Sequence, residues 1–148
     1  MIAEGVLAAV VAGGSTSPHV GHARGHRPAA RIEVSLRRQE LVAYKKGRPV
    51  LVTHISTGSG RRYCVKGRCS VARTPRGAFR ITRQFHGWHR APLGWMYKPS
   101  YFYRGWAIHG SINVPEHPAS HGCVRVPMSV MDRLSPLIRT GERVYIRR

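Results

Sequence analysis

Residues 120–126 read SHGCVRV, a short stretch in which turn-forming residues run directly into an alternating pattern. If the segment is extended, its side chains point alternately to two faces, so His121, Cys123 and Arg125 share one face. The intervening valines share the other face, which favours the core. The stretch therefore predicts a strand that is held from behind and presents a thiol to a polar site.

A second strand is predicted to bring a histidine to the same place. In Trp106–His109 (WAIH), alternation puts His109 on the polar side at the end of the strand. Only a loop separates this segment from Cys123. The imidazole and the thiol can therefore come together.

Alternation elsewhere predicts a fold built mainly from strands. Pro127 suits a first helical position, and Pro136 ends the helix that follows the Cys123 strand. The expected fold class is mainly β, a β-sandwich or mixed sheets with one short helix after the strand that carries Cys123. The other predicted strands cover residues 31–37, 41–44, 50–55, 78–83 and 143–146.

The segment 85–105 is rich in aromatic residues but irregular, with two prolines and three glycines. This composition predicts a long loop. Its aromatic side chains either cap the core or form the wall of a substrate cleft, and both interpretations stay open at this point.

Residues 1–30 are predicted to lie outside the folded domain, which we place at 31–148. Residues 6–12 form a short apolar run that is typical of a truncated secretory signal, and residues 13–30 have the composition of a flexible linker. The run is too short to span a bilayer. The sequence thus predicts an exported protein without a membrane span.

The charge is strongly positive, with 25 Lys and Arg residues against 6 Asp and Glu residues and a net charge of +19. Such a surface favours an anionic partner, and a bacterial cell wall is the expected one. Nucleic acid is disfavoured because the basic residues are scattered and no binding motif is present. A codon bias toward arginine is the alternative explanation. We expect a monomer.

The three cysteines have different predicted roles. Cys64 and Cys69 bracket a segment in which Gly67 suits a tight turn, so they are expected to form a disulfide across a hairpin. Half of a zinc site is the alternative. Cys123 is then the odd thiol, and in an exported protein an unpaired thiol points to a chemical role.

The residues around Cys123 have the composition of an acyl-transfer site. His109 can take the thiol proton and return it to a leaving amine, while Arg125 and the basic surface favour the thiolate. The backbone N–H groups of Gly122 and Cys123 can hold an oxyanion. Two other interpretations remain: a buried, inert Cys123, or a zinc site formed by His109, His121 and Cys123.

The motifs together resemble those of the YkuD-type L,D-transpeptidases. The similarity rests on HG at 109–110 and SHGCVR at 120–125, preceded by STG at 56–58 and TPRG at 74–77. It extends roughly from Arg31 to the C-terminus. The resemblance implies a β-rich catalytic domain that acts on peptidoglycan without a cofactor or a metal ion.

The resemblance also implies roles for individual residues. Cys123 would be the nucleophile, His109 the general base and acid, and the Gly110 carbonyl the group that orients the imidazole. Further roles would belong to the N–H groups of His121, Gly122 and Cys123 in an oxyanion hole, to Ser120 and Arg125 in support, and to Tyr101 or Tyr103 in substrate binding.

The reaction implied is attack on the amide between the L-centre of diaminopimelate and the terminal D-alanine of a stem tetrapeptide. D-alanine would leave, and a second diaminopimelate would resolve the thioester into a 3→3 crosslink. Carbapenems would acylate the same sulfur. The alternatives are a cell-wall amidase or endopeptidase, a D-amino-acid exchange enzyme, and a catalytically idle wall-binding module.

Overall fold

The computed structural model describes residues 30–148, so the predicted signal segment and linker lie outside the described residues except for Ala30. Residues 30–148 form twelve strands and one helix. In chain order these are β1 (Arg31–Ser35), β2 (Glu40–Lys45), β3 (Arg48–His54), β4 (Arg62–Val65), β5 (Arg68–Val71), β6 (Gly77–Arg80), β7 (Arg83–Gln84), β8 (Trp88–Ala91), β9 (Gly94–Tyr103), β10 (Trp106–Ser111), β11 (Val124–Pro127), α1 (Met128–Leu134) and β12 (Arg143–Arg147).

The first sheet has the strand order β3-β2-β1-β12-β6, in which only β1 and β12 run parallel. The alternation predicted for β1 is observed, because Ile32 and Val34 are buried and the residues between them are half-buried. Val144 and Ile146 lie opposite them on β12 and are equally buried. This row of apolar side chains forms one wall of the core.

The second sheet has the order β11-β10-β9-β7, with β8 also paired to β9. Strands β10 and β11 are parallel neighbours, and His109 lies opposite Arg125. The two segments that were predicted to approach each other are therefore adjacent strands. An irregularity in the pairing of β10 with β9 between Ile108 and Gly110 falls at His109.

Helix α1 packs against β9, β10 and β11 and closes the core behind the second sheet. Met131 and Leu134 are its buried residues, and the half-buried Val130 packs against the same core. Pro127, the predicted first helical residue, is the N-cap residue, since its ψ of 144° still belongs to the strand, and the helix begins one position later at Met128. The mainly β class with one short helix after the Cys123 strand is confirmed.

The loop prediction for residues 85–105 is wrong. Most of the segment is a hairpin formed by β8 and β9, which turns at Pro92-Leu93. Aromatic residues favour strands, and this preference exceeds the effect of the prolines. Pro99 is accommodated within β9 directly after Lys98, whose φ of 47° marks a break in the regular strand conformation.

Strands β4 and β5 form a separate hairpin that carries the disulfide between Cys64 and Cys69. Lys66 and Gly67 make the turn with φ values of 48° and 75°. Two consecutive positive φ values are typical of the type I′ turn, which suits a tight hairpin and explains the glycine. The bridge therefore closes a hairpin that hydrogen bonds already define.

Reduction of the Cys64–Cys69 bridge is expected to lower the free energy of unfolding by only about 2 kcal/mol, because the loop that it closes is very short. Urea unfolding of the oxidised protein and of the Cys64→Ser, Cys69→Ser double variant measures this difference. An unfolded double variant in the absence of urea would contradict it.

Candidate active site

A cavity of about 280 Å³ lies where the turn of the β8–β9 hairpin faces the start of β11. Four side chains that the sequence singled out line it together: His109, His121, Cys123 and Arg125. The predicted meeting of the imidazole with the thiol is therefore realised in one cavity. Gly110, Ser120 and Gly122 do not line the cavity; the two glycines make their contacts through the backbone, and Ser120 makes its contacts through its hydroxyl as well.

Cys123 is a free, half-buried thiol, while the other two cysteines are bridged to each other. The Ala107 N–H donates to its Sγ at 3.4 Å, and the side chain packs against the apolar cluster of Met96, Tyr101 and Ala107. Burial raises the pKa of the thiol, an effect that the Ala107 N–H and the Arg125 charge only partly oppose. At neutral pH the sulfur is therefore protonated.

This result changes one expectation from the sequence. Arg125 and the basic surface were expected to favour the thiolate, but the apolar surroundings of Cys123 outweigh the positive charge. Ionisation must therefore accompany the reaction instead of preceding it.

His109 lies on β10 with 6% of its surface exposed, and its Nδ1 is 2.9 Å from the Gly110 carbonyl oxygen. A carbonyl only accepts hydrogen bonds, so Nδ1 carries the hydrogen. Nε2 is then the nitrogen that can accept a proton. The arrangement fits the role predicted for Gly110, which is to fix the tautomer and the orientation of the imidazole.

The pKa of His109 is lowered to about 4, chiefly by burial; the hydrogen bond to the Gly110 carbonyl opposes this change, and the Arg125 charge contributes to it. The imidazole is therefore neutral at pH 7. A neutral thiol and a neutral imidazole share the cavity, so a proton can pass from sulfur to nitrogen when the sulfur attacks.

The free energy of unfolding is expected to decrease between pH 6.5 and pH 4 because of His109. Its pKa is about 4 in the folded protein and near 6.5 in the unfolded chain, so the unfolded chain binds the proton first as the pH falls. Stability is complete above pH 6.5, and the loss approaches about 3 kcal/mol near pH 4.

Urea unfolding across this pH range, compared between wild type and His109→Gln, isolates this contribution from the other histidines. The glutamine variant should lose less stability on acidification. Equal losses in both proteins would show that His109 does not titrate in this way.

Ser120 shapes the turn in front of Cys123. Its hydroxyl donates to the Cys123 carbonyl at 2.6 Å and accepts the Gly122 N–H at 3.0 Å. The Gly122 N–H is therefore engaged, which contradicts its predicted place in the oxyanion hole in this geometry. The N–H groups of His121 and Cys123 stay as the predicted donors.

The upstream motifs hold this turn from the other side. Thr74 Oγ1 donates to the Gly122 carbonyl at 2.8 Å and accepts the Gly58 N–H at 2.9 Å. The Ser120 N–H in turn donates to the Thr57 carbonyl at 2.9 Å. The motifs at 56–58 and 74–77 thus hold the turn at residues 120–123 in place, although none of their residues lines the cavity.

Gln39 extends this network into the first sheet. Its side chain lies in the turn between β1 and β2, donates to the Leu36 carbonyl and to Thr57 Oγ1, both at 2.7 Å, and accepts the Thr57 N–H at 3.0 Å. Gln39 is 6% exposed, so these bonds are sheltered from water. The turn at residues 120–123 is therefore connected, through Thr57 and Gln39, to the first sheet.

The prediction that Tyr101 or Tyr103 lines the cleft is wrong. Tyr101 is buried beneath Cys123 with the Arg83 guanidinium 4.2 Å from its ring centroid. Tyr103 stacks on Trp106, with ring centroids 5.7 Å apart. Neither tyrosine lines the cavity. The sequence could not indicate this, because strand alternation alone does not define which surface faces the nucleophile.

Three aromatic residues that the sequence did not single out as site residues do line the cavity: Tyr63, Trp95 and Trp106. Tyr63 comes from the disulfide hairpin, and its ring meets that of His121 edge-on at 4.9 Å. Its only sequence signal was its position next to Cys64. The disulfide hairpin therefore forms one wall of the cavity.

Arg125 is the positive charge of the cavity. Of the ion pairs among residues 30–148, none involves Arg125. Burial lowers the pKa of its guanidinium, although the group stays charged at neutral pH. An unneutralised, partly buried guanidinium beside the thiol favours an anionic substrate group.

Within residues 30–148, no helix has the length and apolar character needed to cross a bilayer. In the same part of the chain, no three His, Cys, Asp or Glu side chains converge in a way that could hold a metal ion.

Comparison with known proteins identifies the family of the chain. Residues 29–146 match the family described as the YkuD L,D-transpeptidase catalytic domain. A crystal structure of an L,D-transpeptidase from Xylanimonas cellulosilytica is 41% identical with a TM-score of 0.77, and the match covers 81% of this chain and 61% of that one. No curated protein matches the chain.

Two more distant structures share the fold alone. An L,D-transpeptidase from Stackebrandtia nassauensis is 23% identical with a TM-score of 0.67, and the match covers 81% of this chain and 56% of that one. L,D-transpeptidase 3 from Mycobacterium tuberculosis, in complex with a faropenem-derived adduct, is 13% identical with a TM-score of 0.67; coverage is 82% and 61%. This chain spans about three fifths of the length of these proteins. It belongs to the family of YkuD L,D-transpeptidase catalytic domains.

Proposed function

We propose that this protein is a peptidoglycan L,D-transpeptidase with Cys123 as nucleophile and His109 as general base and acid. The observation that carries the proposal is the 2.9 Å contact between His109 Nδ1 and the Gly110 carbonyl inside the cavity that holds Cys123. It fixes the tautomer that leaves Nε2 able to exchange a proton. Membership of the catalytic-domain family supports the reaction class.

The first half-reaction makes a thioester and releases an amine. As Cys123 Sγ attacks the carbonyl carbon of the diaminopimelate L-centre, His109 Nε2 takes the thiol proton. The N–H groups of His121 and Cys123 stabilise the oxyanion. The bond to the D-alanine nitrogen then breaks, and Nε2 gives its proton to that nitrogen.

The second half-reaction reverses these roles. The side-chain amine of a second diaminopimelate attacks the thioester while Nε2 takes its proton. The C–S bond breaks, the thiolate recovers the proton from Nε2, and a 3→3 crosslink leaves the site. Because sulfur and imidazole begin and end neutral, the pair adds no charge to the cavity between turnovers, and Arg125 stays, among residues 30–148, its one charged side chain.

The electrostatics and the disulfide support the cell wall as the working environment. Arg125 would meet a carboxylate of the stem peptide, and the net charge of +19 favours the anionic wall as a partner. A disulfide persists in oxidising compartments, which supports an exported protein. Release of the bound protein from purified sacculi at high salt tests the wall association, and retention at high salt would argue against it.

Incubation with a soluble stem tetrapeptide tests the reaction itself. Mass spectrometry should detect a 3→3 linked dimer together with free D-alanine. Release of D-alanine with only the hydrolysed tripeptide would indicate a peptidase that uses water as the acceptor, and replacement of D-alanine by an added D-amino acid would indicate an exchange enzyme. Absence of every product would contradict the proposal.

A further inference from the structure

The β8–β9 hairpin has two faces of different character. Trp88 lies opposite Tyr97, and Arg90 lies opposite Trp95. Side chains directly opposite each other in a pair of strands share a face. These four side chains therefore lie on one face, while Met96 on the other face belongs to the apolar cluster that contacts Cys123.

The face with the tryptophans is exposed and grooved. Trp88 and Trp95 are 50% and 60% exposed, and the neighbouring Ile112 is 87% exposed. Together with Ser111 they line a groove of about 550 Å³. None of residues 30–148 covers this clustered apolar surface, and such a surface is unusual on a monomer and marks a binding site.

The indole ring of Trp88 is held in place before any ligand binds. Trp88 packs on Tyr97 with ring centroids 5.3 Å apart, and the Tyr97 hydroxyl donates to Asp132 Oδ1 of α1 at 2.9 Å. Lys98 donates to the same oxygen at 2.8 Å. The indole is therefore tied to the helix, so a ligand would not bear the entropic cost of ordering it.

The groove adjoins the catalytic cavity, because Trp95 lines both. A molecule whose reactive end lies beside Cys123 can extend past Trp95 into the groove. Whatever occupies the groove is thus expected to be part of the same substrate.

We propose that this aromatic groove binds the N-acetylated glycan strand to which the stem peptide is attached, which deepens the proposed function and rests on it. A pyranose ring presents C–H groups that pack on the negative face of an indole ring. Its hydroxyl and acetamide edges suit Ser111, which lines the groove, and Arg90, whose guanidinium is 5.9 Å from the Trp95 ring centroid.

The test uses an uncharged, peptide-free probe, the tetrasaccharide of β-1,4-linked N-acetylglucosamine. The chain has three tryptophans, so their indole N–H signals can be followed by NMR during titration. The signals of Trp88 and Trp95 should shift with the sugar while that of Trp106 stays in place. In Trp88→Ala the affinity should fall at least tenfold. Val52→Ala is the control, because Val52 is also an exposed apolar residue but lies on β3 of the other sheet.

The outcomes separate this proposal from the proposed function. Absence of shifts at millimolar sugar, or equal binding by Trp88→Ala, would overturn the glycan groove. Self-association of wild type that Trp88→Ala abolishes would identify the groove as a contact between copies and would also overturn it. Acylation of Cys123 by a carbapenem, measured in the same preparation, reports on the catalytic site independently of the sugar.

Discussion

Replacement of Cys123 by alanine is expected to abolish acylation by a carbapenem and all release of D-alanine. The sulfur at 123 is the free thiol of the described chain, because Cys64 and Cys69 are consumed by their bridge. No neighbouring group can take its place as a nucleophile. Intact-protein mass spectrometry should find an adduct in wild type, at Cys123 after digestion, and none in Cys123→Ala.

His109→Gln should acylate roughly 10²–10⁴-fold more slowly than wild type, since glutamine cannot accept the thiol proton. Raising the pH should recover part of the rate in this variant, because solvent then removes the proton from a thiol whose pKa burial has raised. An adduct in Cys123→Ala, or a wild-type rate in His109→Gln, would rule out the proposed pair.

Gly122→Ala is expected to destabilise the protein by about 3 kcal/mol or more and to prevent acylation. The φ of Gly122 is 135°, a conformation that costs a side chain free energy. A Cβ would also overlap the Trp106 indole nitrogen and approach the Arg73 carbonyl oxygen to 2.9 Å. The turn can avoid both contacts only by moving Cys123.

Gly94→Ala separates the two causes. Gly94 has a φ of 136°, but nothing lies within 4 Å of the position that a Cβ would take. Urea unfolding of both variants therefore measures the cost of the backbone alone at 94 and the cost of backbone and overlap at 122. Equal losses would show that Trp106 and the Arg73 carbonyl yield without resistance.

Alternation and motif spacing were sufficient to predict the mainly β class, the helix after Pro127 and the approach of Cys123 to His109, although not the parallel pairing of β10 with β11. These features depend on local sequence patterns, which favour the same structure whatever the rest of the chain packs against them. The hairpin at 85–105 was missed because aromatic strand formers there are interrupted by proline and glycine, and only the pairing with β10 decides between strand and loop.

The cavity was only partly predictable for a different reason. The residue types of His109, Cys123 and Arg125 indicate their chemistry directly. Whether a tyrosine lines the cavity depends on three-dimensional packing, which the sequence pattern does not give. Tyr63 reaches the cavity from a separate hairpin, and Tyr101 is turned beneath the sulfur. The protonation state of Cys123 likewise depends on how much apolar surface surrounds it, which the nearby charges in the sequence do not reveal.

The Gln39 side chain links the β1–β2 turn to Thr57 by hydrogen bonds. Because the turn that carries Cys123 is hydrogen-bonded through Thr57 to Gln39, which does not line the cavity, this turn and the first sheet should unfold as one cooperative unit. Substitutions in the β1–β2 turn are therefore expected to change catalytic activity as well as stability. Libraries that vary this turn would select for activity and thermal stability together.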